Sequence, residues 1–290
     1  MSGSNEPLPS ADAILAREMP HTLVNGVRIH YKERGQGFPV LLVHGYTGNL
    51  VNWAFQIPIL SQRYRTVSLD LRGHGLTDSP SHAEDYSLEQ LADDIYGLLE
   101  TLGISECYLC GHSMGGMVAQ EFVLAHPEMV RALILVDTTA EQPTGTEIGG
   151  GARMVQMALG QGMEPVFDEM LRVAPLFSTL AAVGGAFIEK WREQFLLTSV
   201  EGYVYCGQAI HDRRPLLDEL YRIQVPTLIL CGALDEAFLE ASRQMHERIG
   251  GSELAIIPDC GHIPIIERPQ EFNRIAASFL ERVDACLAGR

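Results

Sequence analysis

Three side chains in this sequence are of the types, and stand in the order, that nucleophilic acyl chemistry needs. Ser113 is the centre of Gly111-His112-Ser113-Met114-Gly115, Asp235 follows Gly232-Ala233-Leu234, and His262 closes Asp259-Cys260-Gly261-His262. A serine hydroxyl is a weak nucleophile near neutral pH and needs a histidine to take its proton. The histidine in turn needs a carboxylate that fixes its tautomer and stabilises the imidazolium. Ser, then Asp, then His is one of the chain orders in which this set recurs. Attack on a carbonyl also creates an oxyanion, for which the backbone N–H groups of Met114 and Tyr46 are the expected donors. Asp137 also ends an apolar run and is the rival for the acid, but Asp235 has the better glycine-turn context.

Other titratable residues read as structural. His44, His74 and His112 sit in tight turns and are expected to hold loops by hydrogen bonds, and Asp70 is expected to do the same. His211 and His246 read as surface residues. Cys107 and Cys110 have C-x-x-C spacing, but in a strand an odd offset sends the two thiols to opposite faces. No second cysteine pair completes a metal site. The sequence has no G-x-x-x-x-G-K-S/T for phosphates, no H-E-x-x-H for zinc and no convincing G-x-G-x-x-G for a dinucleotide. Neither a cofactor nor a metal is implied.

The elements that must position these residues follow from periodicity. Asn25-Gly26 between alternating runs from Thr22 to Tyr31 predicts a hairpin. Val40–Val43, Thr66–Leu71, Cys107–Cys110, Ala132–Val136, Thr227–Cys231 and Leu254–Ile257 are apolar runs of strand length, as in a sheet covered on both faces. Ser113 lies between a strand and a helix, where Gly111 and Gly115 leave room for a sharp turn. Helices are predicted over Trp53–Leu60, around Leu88–Leu99 with Ser87 as its cap, from Ser113 to His126, around Glu240–Ile249 and over Pro269–Leu287. Strand and helix alternate up to Asp137 and again after Pro226, the grammar of a mostly parallel sheet.

Between them, Glu141–Pro215 holds no strand run. It opens with Gly145, Gly149, Gly150, Gly151, Gly160 and Gly162, and carries methionines and aromatics, among them Phe177, at helical spacing. The expected division is a leader over residues 1–20, a core over 21–140 and 216–290, and a helical lid over 141–215. Met154, Phe167, Trp191 and Phe195 of the lid, with Tyr46, His112 and Phe238 of the core, are candidates to line a substrate pocket.

Composition closes off other classes. The 290 residues carry a formal net charge of -16, which argues against nucleic acid or an anionic membrane as partner. No apolar stretch reaches membrane-spanning length, and residues 1–20 lack the pattern of a secretion signal. The six cysteines lie mostly within apolar runs, as free thiols do in a reducing compartment, so the cytoplasm is the default. A homo-oligomer is left open.

In these motifs the sequence resembles the α/β-hydrolase superfamily: His44-Gly45-Tyr46, Asp70-Leu71-Arg72-Gly73-His74-Gly75, Gly111-His112-Ser113-Met114-Gly115-Gly116, Asp235 and Gly261-His262. The resemblance implies an α/β fold with a mostly parallel sheet of about eight strands flanked by helices, and a helical lid inserted after the sixth strand. Haloalkane dehalogenases and epoxide hydrolases of the superfamily use aspartate as nucleophile, so Ser113 implies acyl chemistry, with a small-molecule ester or lactone as substrate. Thr198–Ile210 is similar to the lid end of 3-oxoadipate enol-lactone hydrolases and related small esterases. Such lactone substrates are anionic, and the lid region offers Arg153, Arg172, Arg192, Arg213 and Arg214. Family members often carry a proline soon after the acid, where this chain has Glu236-Ala237-Phe238. The alternatives are a carbon–carbon bond hydrolase of meta-cleavage diketones, which uses a similar triad, and a ligand receptor on the same fold.

Overall fold

Side chains alternate across an extended strand, so a run apolar at every position must be covered on both faces. In Val40-Leu41-Leu42-Val43, Leu41 and Val43 enter one core with Val67, Leu69, Leu109 and Leu135. Val40 and Leu42 enter the other with Tyr108, Cys110, Ile134 and Val136. Cys107 and Cys110 fall in opposite cores, as their odd offset requires. All six cysteines are free thiols.

The structure is a computed structural model and describes residues 20–142, 151–173, 179 and 185–288. Residues 1–19 of the expected leader, with Gly145, Gly149, Gly150 and Phe177, lie outside the described residues.

The strands are β1 (His21–Val24), β2 (Val27–Arg34), β3 (Pro39–Val43), β4 (Arg65–Leu69), β5 (Cys107–His112), β6 (Val130–Val136), β7 (Thr227–Gly232) and β8 (Glu253–Ile257). They form one eight-stranded sheet in the order β1-β2-β4-β3-β5-β6-β7-β8. β2 runs antiparallel to β1 and β4, and the remaining neighbours are parallel. Asn25 and Gly26 join β1 to β2 with φ of 51° and 80°, the left-handed pair that a two-residue hairpin demands.

The helices Leu88–Thr101 and Met114–Ala125 cover one face of the sheet, and Pro269–Ala288 covers the other. Ser87 caps the first of these by accepting from Gln90 N–H at 3.0 Å. Between β6 and β7 stand the helices Gly151–Gln161, Met163–Val173, Gly185–Phe195 and Val200–Asp212, in the stretch where the sequence has no strand pattern. Among the described residues no helix is long and apolar enough to cross a membrane.

Two boundaries differ from expectation. Residues Leu50–Trp53 form a 3-10 turn and Ile57–Leu60 a separate short helix, in place of one helix over Trp53–Leu60. Asn49 starts the turn early by accepting from Val51 N–H at 3.0 Å, and Pro58 fits the first turn of the second piece. The helix expected around Glu240–Ile249 begins at Glu236. Asp235 is its N-cap, with its carbonyl accepting from Phe238 and Leu239 at 3.1 and 2.9 Å. Glu236-Ala237-Phe238-Leu239-Glu240 contains no breaker that would delay the helix.

Candidate active site

Ser113 stands between β5 and the helix Met114–Ala125 with φ 52° and ψ -117°, a conformation costly for a residue with a Cβ. Its surroundings enforce it. A Cβ on Gly111 would lie 2.2 Å from the Gly115 carbonyl oxygen, and one on Gly115 would lie 2.3 Å from that of Val43. The glycines of Gly111-His112-Ser113-Met114-Gly115 are therefore steric necessities of a turn packed against β3. Ser113 N–H donates to Val136 C=O at 2.9 Å, and Thr138 Oγ1 donates to Ser113 C=O at 2.7 Å.

The other two residues arrive on the loops beyond β7 and β8. His262 Nε2 is 3.0 Å from Ser113 Oγ, and His262 Nδ1 is 2.7 Å from Asp235 Oδ2. With Nδ1–H donating to the carboxylate, Nε2 is left with a lone pair facing the hydroxyl. Both His262 and Asp235 are buried. The geometry thus brings together the three residues singled out in the sequence and pairs His262 with Asp235 rather than Asp137.

A residue the sequence did not single out holds the histidine loop. Glu267 accepts from Gly261 N–H through Oε2 at 2.8 Å and from Ile263 N–H through Oε1 at 2.9 Å. It grips the backbone on both sides of His262. Nothing in sequence spacing marks Glu267, because its role depends on the turn at Pro264–Glu267 folding back.

The loop after β3 meets Ser113 from the opposite side. A Cβ on Gly45 would lie 3.1 Å from Ser113 Cβ and 2.9 Å from His112 Nδ1, so the Gly45-Tyr46 backbone passes directly beside the serine. Met114 opens its helix, where first-turn N–H groups have no carbonyl one turn back. The buried histidines secure this edge. His44 Nε2 accepts from Leu71 N–H at 2.9 Å, and His74 Nε2 accepts from Thr47 N–H at 3.2 Å. Burial, with His44 beside it, pushes His74 down to about 3, and burial lowers His44 too, so both stay neutral acceptors. Asp70 accepts from Leu50 and Leu76 N–H at 2.7 and 2.8 Å, the structural role expected of it.

Three pocket candidates lie against this centre. His112 Nε2 donates to His262 C=O at 2.8 Å, and burial with His262 nearby pushes His112 down to about 3. The Phe238 ring lies 4.7 Å from that of His262. Tyr46 stacks on Tyr203 at 5.4 Å and donates its hydroxyl to Tyr203 C=O, which ties the loop to the helix Val200–Asp212. Met154 lies under the Tyr203 hydroxyl at 3.7 Å. Phe167, Trp191 and Phe195 are buried, with the Phe167 ring 5.4 Å from Trp191 and 5.2 Å from Phe195.

The arginines are largely committed. Arg153 and Arg172 share Glu169, Arg192 pairs with Glu164 at 2.6 Å, and Arg214 pairs with Glu121 at 2.9 Å and with Glu219. Arg213 is buried, and burial pushes it down to about 10. Asp137, Cys231 and Asp235 are close enough to share a cation, but their chemistry fits one poorly. Asp235 Oδ2 is taken by His262, and burial with the two carboxylates raises the Cys231 thiol, which keeps its proton.

The family model for the alpha/beta hydrolase fold matches residues 39–161. Over 263 residues the chain is 31% identical to 3-oxoadipate enol-lactonase 2 of Acinetobacter baylyi, an alignment spanning 88% of this chain and 94% of that one. The chain belongs to the alpha/beta hydrolase fold family. This alpha/beta hydrolase is also 31% identical over 284 residues to epoxide hydrolase 3 of Xenopus tropicalis, spanning 89% of this chain and 76% of its relative. In structure it is similar to the enol-lactonase from Burkholderia xenovorans LB400, with a TM-score of 0.80 and 29% identity over 90% of this chain and 100% of that one. The fold class read from the sequence is thus the fold the family shares.

Proposed function

We propose that this alpha/beta hydrolase cleaves carboxylic esters or lactones through an acyl-Ser113 intermediate, without a cofactor. The observation that carries the reading is the continuous hydrogen-bonded series Ser113 Oγ, His262 Nε2, His262 Nδ1, Asp235 Oδ2, at 3.0 and 2.7 Å, on a serine held in a strained turn. Ser113 Oγ attacks the carbonyl carbon while its proton passes to His262 Nε2. Asp235 balances the imidazolium, and the N–H groups of Met114 and Tyr46 receive the oxyanion. His262 then protonates the departing alkoxide, and a water activated by the same nitrogen releases the acid. A serine at the nucleophile position favours this reading over the epoxide chemistry named in one of its relatives.

The helices between β6 and β7 act as the lid over residues 141–215, anchored where Tyr46 meets Tyr203. Because four of the five lid-region arginines are already paired with carboxylates, the reading favours a small neutral ester or lactone over a strongly anionic one. The buried free thiols suit the cytoplasm.

A panel of p-nitrophenyl esters and lactones tests the proposal. The wild type should turn over at least one of them, and Ser113→Ala should lose about 10⁴-fold or more in kcat. A fluorophosphonate should label Ser113 alone. Retention of most activity by Ser113→Ala, or a label on another residue, would overturn the mechanism.

A further inference from the structure

Behind His262 lies a second carboxyl group that the mechanism above does not use. Asp137 follows β6, is wholly buried and takes φ 41°. Its backbone N–H donates to Leu230 C=O at 2.9 Å, and its Oδ1 accepts from Gly232 N–H at 2.9 Å. Asp137 Oδ2 has no hydrogen-bond partner. Asp235 mirrors it: Oδ2 is engaged with His262 Nδ1, while Oδ1 is buried without a partner. A carboxylate oxygen of each and the Cys231 sulfur lie within 4.8 Å of one another.

Two ionised carboxylates in a dry site repel, and each would also leave a desolvated lone pair unmet. One proton on the pair removes both penalties, since it turns one orphaned oxygen into a donor and the other into its acceptor.

We propose that Asp137 is a positioning residue: its carboxyl group keeps a proton and donates it from Oδ2 to Asp235 Oδ1, which leaves Asp235 Oδ2 aimed at His262. The inference rests on the Ser113, His262 and Asp235 reading above. Burial, with the Asp235 carboxylate beside it, raises Asp137 well above the usual carboxylate range. The titratable groups facing the pair are Cys231 and Cys260, with His112 and His262 on the Asp235 side. Both thiols are raised by burial and His112 is lowered to about 3, so these three are neutral near pH 7. The pair thus carries a single negative charge, matched to the single imidazolium formed on His262. Loss of the Asp137 donor would leave more charge on Asp235, and His262 is the group in contact with it.

His262 titration, followed by NMR in isotopically labelled protein, tests this without turnover. Asp137→Asn replaces a neutral donor by a neutral donor, so the His262 midpoint should stay at its wild-type value and kcat should change little. If Asp137 were ionised, the same variant would remove a negative charge near His262 and its midpoint would fall, which would overturn the proposal. Asp137→Leu removes the donor. The His262 midpoint and the acid limb of kcat/KM should then both move to higher pH, with kcat down about 10- to 100-fold and KM unchanged. Should Asp137→Leu fail to fold, Asp137→Asn alone decides. Equal effects of Asn and Leu with an unmoved His262 midpoint, or activity lost to EDTA and restored by a divalent metal, would also overturn it. Because the titration needs no substrate, failure of Ser113 to label would overturn the nucleophile assignment and leave this result standing.

Discussion

Among the described residues, Ser113 is one of five non-glycine residues with positive φ; the others are Asn25, Thr47, Asp137 and Asp259. Apart from Asn25 in its hairpin, they border the site: Thr47 follows Tyr46, Asp137 lies behind Asp235, and Asp259 precedes the loop of His262. Backbone strain collects where side chains must be aimed rather than merely packed. Ser113, Asp235 and His262 were readable in the sequence because each follows an apolar strand run and the three types have one chemistry in common. The role of Glu267 and the proximity of Asp137 to Asp235 were not, since one depends on a turn folding back and the other on loops after β6 and β7 meeting in space. Glu267→Ala frees the two N–H groups that flank His262 and lets the imidazole wander. It should lower kcat by about tenfold or more with KM little changed, since a small misplacement of a catalytic group is costly. Steady-state kinetics on the ester panel checks this, and an unchanged kcat would show that the loop holds itself.

Among the elements, the turn between β5 and its helix tolerates least. A Cβ on Gly115 would press on the carbonyl oxygens of both Val43 and His44, at 2.3 and 2.5 Å, and neither is a flexible side-chain end. Gly115→Ala should therefore push the helix Met114–Ala125 off β3 and destabilise the protein by about 2–5 kcal/mol, in the range of severe core substitutions. Urea unfolding at pH 7 measures it, and a loss under ~1 kcal/mol would mean that the helix can slide at little cost. Strand positions and the Asn25-Gly26 hairpin were legible because alternation and turn chemistry are local. The start of the helix at Glu236 and the break at Leu50–Trp53 were not. The first follows Asp235, whose carboxylate is given to His262 and makes no side-chain cap, and the second depends on Asn49 closing a turn that periodicity does not register.

The whole molecule is acidic, with a net charge of -16 and an isoelectric point near 5.0. That charge makes copies repel at neutral pH, and the repulsion is lost as the pH falls toward that point. Light scattering should peak near pH 5 and fall again on either side, whereas a flat profile would point to association through apolar surface instead. At this scale the fold class was the most legible feature, since strand and helix alternate from β3 to β6 and again from β7 onward. The packing of the helices in that interval was the least, because methionines and aromatics at helical spacing read alike whether they meet a substrate or one another. The strand order has a last consequence, for synthesis on the ribosome. Ser113 follows the central strand β5, made before β7 and β8, whereas Asp235 and His262 sit beyond those last two strands. A nascent chain therefore carries this serine without its two proposed partners until the loops beyond β7 and β8 have been made.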